Sequence, residues 1–545
     1  MSMNIVGVFI FIISLINYAL FLCKYGVKFL YNLQLSKYSV SYVFKYTLKS
    51  IKHRVFLHIY SIIFLLIYFM LDCSLGVILF YEILTLFILI NDDILSIKKP
   101  HYTYRLIRIL VIGILLYFIA MFLCCKISVL YVIMLMLHIT YYMFYLAIGL
   151  SIILLKPYEE FVKLYYISKA KSKLKKLTHL KVIAITGSYA KTSVKNILYS
   201  MLSTKYSVVM TPRSYNTIFG ITKTILSDLD YYVDYFICEM GADDTGDIKK
   251  LCNIITPNYA IITNIGRQHL ETFKSIDNII NEKLSLYYYV NSRSGKTALN
   301  FYNKYILNGV FDKYSRVLFL KKKYYPNRDV CGTYSFNKFI KCGLDYYTYN
   351  NVTLDDCGTK FDVYKNGTYF SSFQSKLLGL YNIENIVLSL SLADALCVDI
   401  NLIKNALLNI SNIDARMEVS YKQSGGVIIN NGYNSNIDSV SSTIKTLRLF
   451  KDKTKIVITP GLIDLGKYQY DYNYQFGKIV SREADIIYIV GHINREAIYN
   501  GVMSTNENPK VIFLDSKDEW KDIVNNIKEN EVILFENDLP DNYEV

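Results

Sequence analysis

The pattern of hydrophobic and polar positions divides the 545-residue chain into two parts. Up to about residue 155 long apolar runs dominate, whereas beyond it short apolar runs alternate with amphipathic stretches. Runs of roughly 17–25 apolar residues are long enough to cross a bilayer as helices. We therefore predict that residues 1–155 form a multi-spanning α-helical membrane domain, with spans at residues 4–23, 55–71, 75–91, 107–125 and 128–155.

The basic residues predict how these spans are oriented. Lys and Arg are frequent in loops 24–54 and 92–108, and residues 156–180 form a lysine-rich linker. Because Lys and Arg favour the cytoplasmic side and lysines beside a span favour anionic headgroups, we predict a multi-pass protein of the cell (cytoplasmic) membrane. Its partner is then the lipid bilayer, and everything after the linker lies in the cytoplasm. These segments carry part of the formal net charge of +15, so we predict no nucleic-acid partner.

The ten cysteines predict neither a disulfide framework nor a metal centre. They are dispersed along the chain, and none forms a Cys-x-x-Cys pair or a spacing typical of zinc ligands. We expect reduced thiols. The sequence makes no prediction of the oligomeric state.

From about residue 181 onward the alternation of apolar runs and helix-like stretches predicts an α/β fold with a mostly parallel sheet. Residues 181–185 are predicted to form a buried strand and residues 194–202 a helix, with a loop of small residues between them. Such a turn points backbone N–H groups at the ligand bound in it. Lys191-Thr192 at the helix start favours a nucleotide triphosphate with Mg²⁺ as that ligand. Alanine fills both glycine positions of the usual pattern, at Ala184 and Ala190, so an ordinary strand-to-helix turn is the alternative.

Three further residues add candidate chemistry. Glu239 ends an apolar strand, which is where a Mg²⁺ ligand belongs, although acids at strand ends often contact only water. His269 follows the next buried strand, and Lys283 lies fourteen residues further along a helical stretch. Taken alone, the histidine would be structural and the lysine solvated.

The order of these segments resembles the Mur ligases, and within them the members that add D-alanyl-D-alanine to the UDP-MurNAc tripeptide. The phosphate loop, Glu239-Met240-Gly241-Ala242, the segment 263–273 and Lys283 occur in the family's order. Five more segments match family motifs: residues 211–220, 379–385, 416–418, 433–439 and 459–466. The resemblance covers roughly residues 181–500.

The resemblance implies both a fold and an activity. It implies a phosphate-loop (P-loop) central domain over residues 181–412, with a mostly parallel sheet, and a Rossmann-like C-terminal α/β domain over residues 413–545. The implied protein is an ATP-dependent carboxylate–amine ligase of cell-wall precursor synthesis. It transfers the γ-phosphoryl group of ATP to a carboxylate, and an amine then attacks the acyl phosphate. Its cofactors are ATP and Mg²⁺, and its partners are a peptidoglycan precursor and an amino acid or dipeptide.

The resemblance also assigns roles to individual residues. Those implied to be catalytic are Lys191, Lys283 and His269. Those implied to hold the nucleotide are Gly187, Ser188, Ala190, Lys191, Thr192, Ser193, Asn382 and Arg416. Those implied to bind substrate are Thr211, Asn216, Thr217, Tyr433, Asn434 and Asn436. Those implied to hold metal ions are Thr192, Glu239, His269 and Lys283, the last as a carbamate.

Several positions depart from the family pattern. Ala190 stands where the family has glycine, which is tolerated if its φ stays negative. Asn430-Asn431 replace a pair of aspartates, and Tyr381 replaces a histidine. Only about 25 residues separate the last predicted span from the first strand, so the usual N-terminal UDP-binding domain is expected to be absent.

Two alternatives to this function remain open. One is a membrane ligase with a different acceptor, of the poly-γ-glutamate type or for another wall polymer. The other is a non-catalytic membrane scaffold that keeps the fold.

Overall fold

The computed structural model describes most of the chain. The ranges are residues 5–53, 62–64, 66–67, 70–71, 75–91, 100–125, 139–310, 339–343, 346–355, 358–410, 417–432, 436–463, 465–515 and 519–537. The chain forms two compact units, Met1–Leu164 and Tyr165–Val545.

The first unit is helical. Its helices are α1 (Ile5–Phe21), α2 (Val27–Leu35), α3 (Val40–His53), α4 (Leu75–Asn91), α5 (Tyr104–Cys125) and α6 (Ile139–Lys176), the last of which continues into the second unit. Buried aromatic and aliphatic side chains, among them Phe29 and Tyr145, form its core. Within it the side-chain amide of Asn17 donates a hydrogen bond to the Glu82 carboxylate, 2.6 Å away. Residues 156–176 of the predicted linker are the second half of α6.

The predicted multi-pass membrane localisation is wrong. Among the described residues one helical stretch, Ile12–Leu35, is long and apolar enough to cross a bilayer, and one such stretch near the N-terminus is weak evidence of a span. Helix α4 contains the shorter apolar stretch Gly76–Ile90. Residues 128–138 of the predicted span 128–155 lie outside the described residues. The predicted span 55–71 lies mostly outside the described residues. Run length alone therefore does not establish these segments as spans, and the bilayer as a partner is not shown.

The second unit begins with a six-stranded parallel sheet. Its strands are β1 (Lys181–Thr186), β2 (Val208–Met210), β3 (Tyr235–Glu239), β4 (Tyr259–Ile262), β5 (Lys296–Asn300) and β6 (Phe339–Cys342), in the order β2-β3-β1-β4-β5-β6. The intervening helices are α7 (Lys191–Leu202), α8 (Ile218–Asp228), α9 (Asp247–Ile255), α10 (Leu270–Phe273) and α11 (Ile276–Asn291). Central strands read as continuous apolar runs because helices cover both faces of such a sheet. Since β1 lies between β3 and β4, the loops after these three strands meet at one edge.

A smaller antiparallel sheet and two helices follow. The strands are β7 (Tyr347–Asp355), β8 (Gly358–Lys365) and β9 (Thr368–Ser375), and the helices are α12 (Leu380–Ala395) and α13 (Ile400–Asn409). Helix α12 is almost wholly buried and shares an apolar core with α7. This packing brings the start of α12 close to the loop that precedes α7.

The last part of the unit is a second α/β layer. Its strands are β10 (Glu418–Tyr421), β11 (Val427–Asn431), β12 (Thr454–Thr459), β13 (Ile486–Val490), β14 (Lys510–Leu514) and β15 (Glu531–Glu536), in the order β10-β11-β15-β12-β13-β14. Its helices are α14 (Ile437–Lys445), α15 (Gln469–Val480), α16 (Arg495–Met503) and α17 (Glu519–Asn525). Strand β10 pairs antiparallel and the other strands parallel. The predicted α/β fold with mostly parallel sheets is therefore confirmed.

Candidate functional site

A cavity lies at the carboxyl edge of the first parallel sheet, and residues of β11 and α14 also contribute to its wall. The sequence predicted eight of its lining residues: Ser188, Ala190, Lys191, Thr192, Asn216, Glu239, His269 and Lys283. They come from the loops after β1, β2, β3 and β4 and from α11. The parallel topology thus gathers into one place residues that are almost a hundred positions apart in the sequence.

The loop between β1 and α7 is held in shape by the segment that follows β4. The backbone N–H of Ser188 donates to the carbonyl of Asn264 at 2.6 Å, and the Thr263 hydroxyl donates to the carbonyl of Tyr189 at 2.6 Å. The Lys191 ammonium donates to the loop carbonyls of Gly187 (2.9 Å) and Ser188 (3.1 Å). A cation at a helix N-terminus with exposed N–H groups is suited to bind phosphate.

Two positions in this loop have special backbone requirements. A Cβ atom at Gly187 would lie 2.0 Å from the Thr263 hydroxyl, so only glycine fits there. Ala190 has φ +67°, so the condition under which alanine is tolerated there without strain is not met. The left-handed conformation costs a non-glycine residue about 1–2 kcal/mol, and burial of Ala190 in the packed loop holds it there.

Thr192 and Glu239 form a pair of oxygen donors beside the loop. The Thr192 hydroxyl donates to Glu239 Oε2 at 2.9 Å, and the Asn216 amide donates to Glu239 Oε1 at 3.3 Å. Mg²⁺ binds through one or two carboxylates and completes its shell with water and phosphate oxygens. The described residues contain no group of three or more His, Cys, Asp or Glu side chains that could hold a metal by themselves. The donor set therefore fits a Mg²⁺ ion held jointly by protein and nucleotide.

Lys283 and His269 also line the cavity. Lys283 is 3% exposed, and its ammonium is 3.3 Å from the carbonyl of Ala242. Burial, and then the charge of Lys191, lower the pKa of Lys283 from 10.5 to about 7. His269 Nε2 lies 3.8 Å from Asp243 Oδ1, at a backbone φ of +54°.

Other predicted residues stand behind the cavity wall. The Thr211 hydroxyl accepts from the backbone N–H of Glu239 at 3.1 Å, and Thr217 caps the N-terminus of α8. Asn382 is buried and donates to the carbonyl of Leu378, while Asn436 caps α14. Ser193 is buried, and its hydroxyl has no hydrogen-bond partner within the described ranges. These five residues support the site's shape, and none lines the cavity.

Three predicted residues, Arg416, Tyr433 and Asn434, lie outside the described residues. Gly187 is not a lining residue, and its carbonyl accepts from the Lys191 ammonium.

Sequence reasoning did not name Lys195 as a site residue, and it noted Tyr381 and Asn431 only as departures from the family pattern. Lys195 lies one helical turn after Lys191 and is fully buried against Glu239, a position that the spacing of four along α7 could have suggested. Tyr381 lines the cavity and stacks on Tyr189, with ring centroids 6.2 Å apart. Asn431 also lines it, and its amide donates to the buried carboxylate of Glu536 at 2.9 Å. The strands that carry this pair, β11 and β15, are about a hundred residues apart in the sequence, so no local pattern predicts the contact.

Asp438 connects the domain of the first parallel sheet with the domain of the second sheet, close to the cavity. Its carboxylate accepts from the backbone N–H of Arg267 at 2.9 Å and from the hydroxyl of Tyr305 at 3.2 Å. Gly266 leaves the room for this approach, because a Cβ there would lie 3.0–3.3 Å from atoms of Tyr189, Asn436 and Asp438. The second α/β layer is thereby held against the loop after β4.

Fold and site together define a class of protein. A buried central strand, a small-residue loop, a lysine and a hydroxyl at the start of a helix, and an acid at the end of the adjacent strand are the parts of a phosphate-loop nucleotide-binding protein.

Comparison with known proteins supports the resemblance on which the motifs rest. Residues 185–393 match the Mur ligase middle domain. The matched residues carry most of the cavity lining, and the predicted resemblance to the Mur ligases is confirmed.

Two relatives illustrate the similarity of sequence. The UDP-N-acetylmuramoyl-tripeptide–D-alanyl-D-alanine ligase of Buchnera aphidicola is 27% identical over 332 residues, which are 61% of this chain and 67% of the relative. The ligase of the same name from Bacillus subtilis is 24% identical over 367 residues, which are 65% of this chain and 72% of the relative.

Solved structures show the same fold. MurF from Acinetobacter baumannii superimposes with a TM-score of 0.57 at 20% identity, over 69% of this chain and 77% of that one. MurF ligase from Thermotoga maritima, in complex with ADP, has a TM-score of 0.55 at 22% identity, over 69% and 80% of the two chains.

Proposed function

We propose that this protein is an ATP- and Mg²⁺-dependent ligase that joins D-alanyl-D-alanine to a UDP-MurNAc tripeptide in peptidoglycan precursor synthesis. The observation that carries the proposal is the convergence of Lys191, Thr192, Glu239 and Lys283 on one cavity. The names of the relatives support the choice of substrates, and the motifs support the choice of reaction.

The reaction brings several anions together, so cations and N–H dipoles dominate the site. We assign Lys191 and the N–H groups of residues 187–192 to the phosphates of ATP. Thr192 and Glu239 would hold the Mg²⁺ ion, which supplies further charge neutralisation when bound. His269, oriented by the nearby Asp243 carboxylate, would contribute to metal binding at the same cavity.

We assign Lys283 the role of a carbamate. An amine reacts with CO₂ only when it is neutral, and a pKa of about 7 leaves much of Lys283 neutral at physiological pH. The product, –NH–COO⁻ with release of a proton, would replace a buried cation by an anion. Such an anion next to Lys191 satisfies the charge balance that two neighbouring ammonium groups do not.

We propose the following division of labour along the chain. Residues 181–412 would bind ATP, and residues 413–545 would close over it and carry Arg416 to the nucleotide and Tyr433 and Asn434 to the substrate. Closure excludes water, which protects the acyl phosphate from hydrolysis. The contacts of Asp438 with Arg267 and Tyr305 support a closed arrangement.

The test is ADP release that requires both the UDP-MurNAc tripeptide and D-alanyl-D-alanine. Replacing Lys191 by Ala should lower the rate by about 100-fold or more, since a positioned cation on the reacting phosphates is lost. Lys181→Ala is the matched control, because Lys181 is exposed at the opposite end of β1. Circular dichroism should show both variants folded.

Two results would contradict the proposal. Unchanged turnover of Lys191→Ala would remove the phosphate-loop assignment. ADP release with another amine, and none with D-alanyl-D-alanine, would keep the ligase chemistry but reject the proposed amine substrate.

A further inference from the structure

A second lysine of the phosphate-loop helix takes no part in the chemistry above. Lys195 lies one turn after Lys191 on α7, and its side chain is 1% exposed. Its ammonium lies 3.2 Å from Glu239 Oε2, the same oxygen that accepts from Thr192. It also donates a hydrogen bond to the backbone carbonyl of Arg213.

Because both side chains are buried, the pairing of Lys195 with Glu239 matters for the stability of the protein. Glu239 is itself 1% exposed, and a buried carboxylate without a cation is strongly destabilising. The Lys195 ammonium therefore balances the charge of Glu239 from inside the protein. With Asn216 on Oε1 and Lys195 on Oε2, both carboxylate oxygens are fixed in direction.

Lys195 also reaches the loop between β2 and α8, residues 211–217, which we call the acceptor loop. The loop is attached to the end of β3 by Thr211 and by Asn216, whose carbonyl accepts from the N–H of Gly241 at 2.9 Å. Its middle, residues 212–215, is exposed, and Arg213 has φ +46°. The hydrogen bond from Lys195 fixes the carbonyl of Arg213, the residue with the left-handed backbone.

We propose that Lys195 is a positioning residue that couples the metal carboxylate to the acceptor loop. It acts as the resident counter-cation of Glu239 and as the anchor of Arg213, so that one ammonium sets both the metal ligand and the wall facing the acceptor. The loop's part in binding acceptor rests on the proposed function, whereas the charge balance at Glu239 does not.

The first experiment measures thermal unfolding of the full chain with and without Mg²⁺. Lys195→Met keeps the length of the side chain and removes the charge. It should melt lower than the wild type in metal-free buffer, and Mg²⁺ should raise its melting temperature more than that of the wild type, because the ion takes over the charge of Glu239. Lys173→Met is the matched control, since Lys173 also donates to a backbone carbonyl, that of Leu226 at 2.8 Å, and pairs with no carboxylate within the described part of the chain.

A double variant keeps the first experiment decisive if Lys195→Met unfolds. In Lys195→Met with Glu239→Gln the unpaired charge is gone, so this protein should melt above Lys195→Met alone in metal-free buffer. A lower melting temperature would mean that Lys195 serves only packing. Equal effects of Mg²⁺ on Lys195→Met and the wild type would likewise overturn the counter-cation role.

The second experiment separates KM from kcat. The measurement is made at saturating Mg²⁺, where the ion takes over the charge of Glu239. Lys195→Met, which releases Arg213, should then raise KM for the UDP-MurNAc tripeptide by about 10-fold, the loss expected for one charge-assisted hydrogen bond, and leave KM for ATP within about 2-fold. Lys195→Arg keeps the charge and should recover part of the difference. Unchanged KM for the tripeptide, or an equal rise for both substrates, would overturn the coupling.

The two experiments distinguish the failure of this inference from failure of the proposed function. A wild type without ligase activity would reject the function, and the metal-dependent melting of Lys195→Met would still test the charge balance. An active wild type with an unaffected Lys195→Met would reject the inference alone.

Discussion

Lys283 shows how a single buried side chain can be prepared for chemistry. Its amine is enclosed beside Lys191, and burial is the larger of the two causes that lower its pKa to about 7. The folded protein then holds a neutral amine at pH values where the unfolded chain holds an ammonium. Such a difference makes stability depend on pH.

The sign of that dependence can be tested. Between pH 7 and 10.5 the unfolded chain binds a proton at Lys283 that the folded chain releases, so the free energy of unfolding should rise with pH across this window. Below pH 7 the folded protein bears the full cost of a buried ammonium at Lys283. Lys283→Met does not bear this cost. In CO₂-free buffer at pH 6 it should be more stable than the wild type by a few kcal/mol, an order of magnitude set by about 1.4 kcal/mol per pKa unit.

Urea unfolding between pH 6 and 10 measures this difference. Lys249→Met, at an exposed lysine of α9, should show no such change. Parallel pH profiles for Lys283→Met and the wild type would mean that the Lys283 amine is not perturbed and would weaken the carbamate assignment.

At the scale of elements, one carboxylate connects two helices. Helix α9 has Gly246 at its N-cap position, which supplies no side-chain oxygen. The carboxylate of Glu282, from the middle of α11, accepts instead from the N–H groups of Gly246 and Ile248, both at 2.7 Å. Because Glu282 precedes Lys283, this cap also fixes the loop whose carbonyl at Ala242 meets the lysine.

Replacing Glu282 by Gln should therefore loosen both helices. One of the two acceptors becomes a donor facing an N–H group, and the charge at the helix N-terminus is lost, for a cost of about 1–3 kcal/mol. Hydrogen exchange of the Gly246 and Ile248 amides should become faster. Asp277→Asn, at an exposed acid in the first turn of α11, should leave both amides protected.

The sequence predicted the elements around the site better than the contacts between them. Apolar runs ending in Glu239 and in the segment before His269 predicted β3 and β4, since strand, loop and helix are local patterns. The family motifs predicted that these ends would meet. The left-handed φ of Ala190 and the cap made by Glu282 were not predictable, because each is imposed by residues far along the chain. Apolar run length likewise overestimated the number of membrane spans.

At the scale of the whole second unit, Asp438 is a connection between the two parallel sheets' domains. Its two acceptor contacts, with Arg267 and Tyr305, come from different segments of the first sheet's domain. Burial, and then the negative charge of Asp438, raise the pKa of Tyr305 to about 12, so the phenol stays protonated and continues to donate.

Asp438→Ala should shift the protein toward an open arrangement. Both donors lose their acceptor, at about 1–3 kcal/mol for groups left unpaired, and the second α/β layer is less firmly held. Small-angle scattering should give a larger radius of gyration, and KM for ATP should rise. Asp471→Asn, at an exposed acid of α15, is the control, and identical scattering from Asp438→Ala and the wild type would contradict the role.

The position of β15 has a consequence for how the protein is made. This strand lies between β11 and β12, in register with Asn431 on one side and Ile458 on the other, although a hundred residues separate Asn431 from Glu536. On the ribosome β11 emerges first and must wait for its neighbour, with an unpaired strand edge that invites association with other chains. A nascent chain that stops before residue 531 would therefore be a target for chaperones rather than a partly active enzyme, since Asn431 reaches the cavity wall on a strand that is paired only with β10 and whose other edge is still open.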